Sequence, residues 1–127
     1  MIAHIGRFGA LACLVVSLVA VGTPARAQSE QDFTLVNGTD YDIDEVYVAP
    51  TSSKTWGRDI MGDGVLEARK SKAVKFRSGT TNCLYNLRVK WSDGSVTEWA
   101  TTFDLCTISK ITLRYNRSTD VTTAVTE

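Results

Sequence analysis

The chain has 127 residues, and residues 1 to 27 read as a secretion signal, so removing 27 of 127 leaves a domain of 100 residues. That length suits one hydrophobic core and excludes a second domain or a (β/α)₈ barrel. Composition is that of a folded domain, 43% hydrophobic and 22% charged, which argues against disorder. Two of the 14 basic residues, Arg7 and Arg26, precede Gln28, leaving 12 against 14 acids. So slight a negative balance argues against nucleic-acid binding.

Met1 to Ala27 carries Arg7 near its start, an apolar stretch from Leu11 to Val21, and Ala25 and Ala27 before Gln28. This is the pattern of a cleaved secretory signal. About 11 apolar residues reach only about 16 Å as a helix, half of a hydrocarbon core, so a membrane anchor is not expected after cleavage. A lipid-anchored start at Cys13 is disfavoured because Ala10 stands where Leu is usual, and no Arg-Arg pair suggests twin-arginine export. The expected location is periplasmic or secreted. Cleavage would remove Cys13 and leave Cys83 and Cys106, which in an exported domain read as one disulfide closing about 24 residues.

Past a short polar lead, Gln28 to Gln31, the chain alternates in period two. Strands are expected at Phe33 to Leu35, Ile43 to Val48, Ala73 to Phe76, Leu84 to Trp91, Val96 to Phe103 and Ile111 to Tyr115, with a weaker one at Val121 to Val125. Turn residues separate them at Asn37 to Asp40, Pro50 to Ser53, Gly62 to Gly64, Ser78 to Thr80 and Ser92 to Ser95. No segment sustains a helical period, and Gly57 to Gly64 has room for one helical turn at most. The expected fold is all-β, an antiparallel β-sandwich or small barrel of six to seven strands, in a single domain over 28–127.

Asp93-Gly94 marks a hairpin. A two-residue loop there pairs Trp91 with Val96 and leaves Trp99 and Phe103 facing away from Tyr85, Leu87, Val89 and Trp91. An offset pairing Trp91 with Trp99 and Leu87 with Phe103 gives a better apolar match. It sends Cys106 away from Cys83, so a bulge is expected between Phe103 and Cys106.

The one His, His4, lies in the signal, so the exported chain would have none. That removes Ser-His-Asp and Cys-His nucleophiles and His-ligated zinc. Neither a Gly-x-Ser-x-Gly elbow nor a phosphate loop is present. Carboxylates remain. Asp40, Asp42, Asp44 and Glu45 cluster at a turn, and Asp59 and Asp63 flank Ile60-Met61-Gly62. Asp40, Asp42, Asp59 and Asp63 are the candidate ligands of a Ca²⁺ ion. The Asp40-x-Asp42-x-Asp44 spacing fails as an EF-hand loop, because Glu45 stands where Gly is required and Thr51 where the bidentate Glu belongs. Their ordinary role is the solvent face of a strand and the cap of a turn.

Seven Tyr and Trp residues follow the signal. Trp91 and Trp99 suit the core or its rim. Trp56, between a polar loop and Gly57, either folds back as a plug or stays exposed as a contact, and Trp56, Gly57, Asp59 and Tyr41 form the candidate ligand surface. Asn37-Gly38-Thr39 and Asn116-Arg117-Ser118 have the form of glycan acceptors, and here read as turn residues.

Phe33-Thr34-Leu35-Val36-Asn37, Ile43-Asp44-Glu45-Val46-Tyr47-Val48-Ala49-Pro50, Trp56-Gly57, Asp59-Ile60-Met61-Gly62, Cys83-x-Tyr85, Asp93-Gly94 and Asp104-Leu105-Cys106 occur in this order. The set resembles a family of small exported bacterial proteins of uncharacterised function. Some of those relatives carry the name argininosuccinate lyase, a large helical tetramer that a 100-residue β domain without His cannot be. The resemblance implies no activity, and it draws attention to Trp56-Gly57 and Asp59 to Gly62.

The expected function is that of a non-enzymatic binding or interaction module, monomeric, whose partner is a protein, an envelope polymer or a small ligand. A calcium-stabilised envelope module is the alternative, followed by a carboxylate hydrolase with two acids in a cleft.

Overall fold

The computed structural model describes residues 12–18 and 29–127. The expected signal therefore lies outside the described residues except for 12–18, which form neither helix nor strand, and Cys13 there is exposed and unbonded. Among the described residues no helix is long and apolar enough to cross a membrane.

Seven strands follow in chain order: β1 Phe33–Asn37, β2 Ile43–Pro50, β3 Ser71–Val74, β4 Leu84–Trp91, β5 Val96–Asp104, β6 Lys110–Asn116 and β7 Val121–Thr126. All seven lie where the alternation places them, with β3 beginning two residues early. They form two sheets, β3-β1-β6-β7 and β2-β4-β5, so the fold is a sandwich rather than a barrel. One pair departs from an antiparallel arrangement: β1 runs parallel to β6, with Leu35 beside Ile111. No hairpin joins these two strands, because the chain crosses to the other sheet between them, so no turn forces their directions to oppose.

The core lies between the sheets. Phe33 and Leu35 of β1, Val74 of β3 and Ile111 and Leu113 of β6 pack with Val46 of β2 and Tyr85, Leu87, Val89 and Trp91 of β4. Leu66 and Leu105, from the connections, close its ends and are buried. The central strands β4 and β1 bury every second residue, as a half-buried strand must.

The β4–β5 hairpin takes neither expected register. Its loop is three residues, Ser92 to Gly94: Trp91 N–H donates to Ser95 O at 2.8 Å and Gly94 N–H donates to Trp91 O at 2.9 Å. Gly94 sits at φ 87°, the left-handed residue of a bulged turn that a Cβ would strain. Leu87 consequently faces Trp99 and Tyr85 faces Phe103, which keeps the aromatic side chains on the core side. The bulge falls between these two pairs rather than after Phe103. There β5 spends four residues where β4 spends two, and an even excess returns Trp99 and Phe103 to one face without a later correction. Leu105 N–H then donates to Cys83 O at 2.8 Å, and Cys83 and Cys106 form the expected disulfide across a Cα separation of 5.2 Å.

The segment after β2 holds two tight turns, Asp59 to Gly62 and Met61 to Gly64, instead of a helical turn. It lies along the free edge of β2. Asp59 Oδ1 accepts Val46 N–H at 2.8 Å, Ile60 N–H donates to Val46 O at 2.8 Å, and Ile43 and Leu66 exchange both backbone bonds at 2.9 Å.

Candidate functional site

The four acids weighed as calcium ligands are drawn into separate structural duties. Asp40 pairs with Arg69 at 2.9 Å on the surface. Asp42 Oδ1 accepts Ala68 N–H at 2.8 Å, and Asp59 Oδ1 accepts Met61 N–H at 2.9 Å in addition to Val46 N–H. Asp63 is exposed in its turn. Among the described residues no three of these carboxylates lie within 4.8 Å of one another, and a Ca²⁺ ion needs six to eight oxygens around one point. The cluster that does meet that distance, Cys83, Asp104 and Cys106, has its sulfurs joined in the disulfide. Millimolar Ca²⁺ or a chelator is therefore expected to leave the melting temperature of the oxidised protein within a degree; a rise of several degrees with Ca²⁺ would show that the acids converge in solution.

The proposed ligand surface also divides. Trp56 is half-buried but does not join the core, where Ile60 and Met61 of the same segment pack instead. Gly57 turns the chain there at φ 74° with open space around it. Asp59 holds backbone, as described, and belongs to the β2 edge. Tyr41 lies elsewhere, in the turn between β1 and β2 beside Tyr115, and is the member of the set that borders a cavity.

That cavity is an open groove of about 470 Å³ between the β4–β5 turn and the β6–β7 turn. Its aromatic wall is Tyr41, Trp91 and Tyr115. The rings of Tyr41 and Tyr115 meet edge to face, 5.6 Å apart at 80°, a geometry set by the ring quadrupoles. Trp91 ends β4, nearly buried, and its indole N–H donates to Thr97 Oγ1 at 2.9 Å, which fixes the ring at the groove floor. Two carboxylates stand at the mouth, Asp93 from one turn and Asp120 from the other. Asp93 Oδ1 accepts the hydroxyl and the N–H of Ser95, at 2.6 and 2.8 Å. These two bonds favour the ionised carboxylate and hold its pKa below the ordinary value. Asp120, at φ 53°, accepts the Tyr115 hydroxyl at 2.7 Å. The bond raises the phenol's pKa, since ionising Tyr115 would put two negative oxygens together.

Among the described residues no Lys or Arg lines the groove. Arg117 lies at its rim, its guanidinium 5.8 Å over the Tyr41 ring and its Nε–H donating to the Tyr41 hydroxyl at 3.2 Å. An aromatic face with two acids behind it attracts a cation, and here one of the chain's own occupies the outer face.

A second polar cluster covers the outer face of the three-stranded sheet. Glu45 accepts the Tyr47 hydroxyl at 2.6 Å and pairs with Lys90 at 3.2 Å, while Arg88 lies over the Tyr47 ring at 5.6 Å. The Tyr47 bond, then Lys90, holds the Glu45 carboxyl below its ordinary value of 4.5. Its contribution to stability is present above that value and is lost as pH falls through the lowered one. This is a ladder of surface pairs.

Sequence reasoning placed Trp91 in or beside the core and Asp93 in the turn, counted Tyr115 among the aromatics and at a strand end without giving it a role, and passed over Asp120. The available signal was an aromatic at the end of each of two strands followed by an acid in each of two turns, which becomes a site only when the turns are known to be neighbours. No protein-family model, no curated protein and no solved structure matches the chain.

Proposed function

We propose that the chain is an exported, non-catalytic binding module whose groove between the β4–β5 and β6–β7 turns takes a ligand bearing an organic cation, an amine or a guanidinium. The observation that carries this reading is the lining: three aromatic rings and two carboxylates without a basic residue. A cation gains from the ring faces and from the carboxylates together, and more so where the groove sheds water. An anionic ligand meets repulsion from every charged group in the wall. The disulfide and the secretory pattern of residues 1–27 support placement outside the reducing cytosol, as does the resemblance to small exported bacterial proteins.

The hydrolase alternative requires one carboxyl of a pair to stay protonated near neutral pH as general acid. The bonds from Ser95 push Asp93 the other way, so Asp93 suits a fixed negative field better than proton transfer.

The test is titration of the purified protein with argininamide, glucosamine and glucose, read by the NMR shift of the Trp91 indole N–H. Argininamide and glucosamine are expected to move the signal and glucose is not, with binding falling as salt rises. Asp93→Asn and Asp120→Asn are each expected to weaken the response about tenfold, the loss of about 1.4 kcal/mol that one charge-assisted contact supplies. An equal response to glucose would reassign the groove to neutral polyols, and silence towards all three at tens of millimolar would discard it as the site.

A further inference from the structure

A sandwich of two open sheets has four edge strands, and an unprotected edge is a template for another strand. Three of the four are protected here. Along β2 the Asp59–Leu66 segment takes up the outward backbone groups, and the strand ends in Pro50. On the other side of its sheet, β5 carries Glu98, Asp104 and the bulge. The four residues of β3 hold Lys72, with Lys75 immediately after. By contrast β7 reads Val-Thr-Thr-Ala-Val-Thr, six residues with no charge, no Pro, no Gly and an unbroken register against β6. Val121 and Val125 are exposed on it.

The hydrogen-bond phase of that edge follows from its end. Lys110 and Glu127 exchange both backbone bonds, at 2.9 and 3.2 Å. In an antiparallel ladder bonded and non-bonded pairs alternate, so Val125, Thr123 and Val121 spend their groups on β6. Thr122, Ala124 and Thr126 therefore point N–H and C=O outward, three free rungs in a row.

We infer that β7 is a self-pairing edge, through which two copies of this chain join antiparallel about a two-fold axis at Ala124. Ala124 then faces the partner's Ala124, and Thr122 faces the partner's Thr126 at both ends, so every free rung is used. On the outer face Val125 lies beside the partner's Thr123, a β-branched pair of the kind that stabilises sheets. Two four-stranded sheets become one of eight. A second copy is the favoured occupant because the edge is self-complementary: neutral throughout, it meets no like charge in its twin, whereas β3 and β5 each carry a charge that a twin would bring near its own copy. This departs from the monomer expected from the sequence. It does not rest on the groove reading, since the rungs are backbone groups, although Thr122 also lines the groove.

The test is sedimentation of the purified protein across concentration. The mean mass is expected to climb from monomer toward dimer between ~10 µM and ~1 mM, as suits an interface of one strand pair, at the small end of specific contacts. Ala124→Pro removes an outward N–H that β6 does not use, a position where an edge strand tolerates Pro. Val125→Lys sets a charge near the two-fold on each copy. Both variants are expected to stay monomeric over the whole range; should the Pro variant fail to fold, judged by loss of its cooperative melt, Val125→Lys alone decides. A wild-type protein monomeric at ~1 mM overturns the inference, as does a dimer that folded variants leave unchanged.

Discussion

Replacing Asn37 by alanine is expected to destabilise the protein by about 3 kcal/mol, a fall of roughly 15 °C in melting temperature for a domain of this size. The side chain is fully buried at the end of β1. Its Nδ2 donates to the carbonyls of Tyr41 at 2.7 Å, Leu66 at 3.2 Å and Glu67 at 3.2 Å, and its Oδ1 accepts the Thr39 hydroxyl at 2.7 Å and N–H at 3.2 Å. One amide thus ties the β1–β2 turn to the segment that covers the β2 edge. Alanine removes all of these bonds at once: the carbonyls of Tyr41, Leu66 and Glu67 keep one partner each, from the Thr39 hydroxyl, Ile43 N–H and Lys70 N–H, while Thr39 N–H loses its acceptor, and each bond lost at a buried amide costs about 0.5–1.5 kcal/mol. The neighbouring Gly38 packs close against β6, where an added Cβ would meet Leu113 O at 2.6 Å, so no larger residue fits in that turn without a shift. Asn116, in the second Asn-x-Ser/Thr triplet, is exposed and accepts only Ser118 N–H at 2.9 Å. Its alanine variant is expected to stay within about 0.5 kcal/mol of wild type. Urea denaturation of the pair gives the comparison; equal effects would mean that the Asn37 bonds are replaced by water at no loss.

Opening the disulfide is expected to have an effect of similar size. Cys83 and Cys106 lie 23 positions apart, and closing such a loop in the unfolded chain is worth roughly 3 kcal/mol by chain entropy. The bridge sits at the end of the β4–β5 hairpin remote from its turn, just past the bulge where the ladder is weakest. The double variant Cys83→Ala, Cys106→Ala is expected to lose about 3 kcal/mol and to keep the fold, because Leu105 remains buried beside the bridge and the hairpin register is held by Gly94 and the Leu87–Trp99 pair. The readout is the denaturation midpoint together with the retention of the dispersed methyl NMR signals of the core. A loss below about 1 kcal/mol would place residual structure in the unfolded hairpin.

The two predictions differ in how visible their residues were. Cys83 and Cys106 could be paired from the count alone, since an exported domain with two cysteines has one pairing. Asn37 read as a turn residue, because the sequence shows its neighbours Gly38 and Thr39 but not the carbonyls of Leu66 and Glu67 some thirty positions on. Asp59 is opaque for the same reason: its Oδ1 accepts two backbone N–H groups, one of them that of Val46, thirteen positions earlier.

By itself the sequence determined the strands, their inward faces, the hairpin at Asp93-Gly94 and the disulfide, all of which follow from period, turn chemistry and count over short spans. Only the tertiary structure decided the parallel pairing of β1 with β6, the place of the bulge, the separation of the four acids, the meeting of Tyr41 and Trp91 with Tyr115 and Asp120, and the bare edge of β7. The physical reason is common to all five. Alternation says which way a side chain points from its own strand, but a groove, a ligand set or an edge is made by which strands become neighbours. That choice is settled by burial summed over the whole core, where Leu35, Val89 and Leu113 from three distant stretches must pack together.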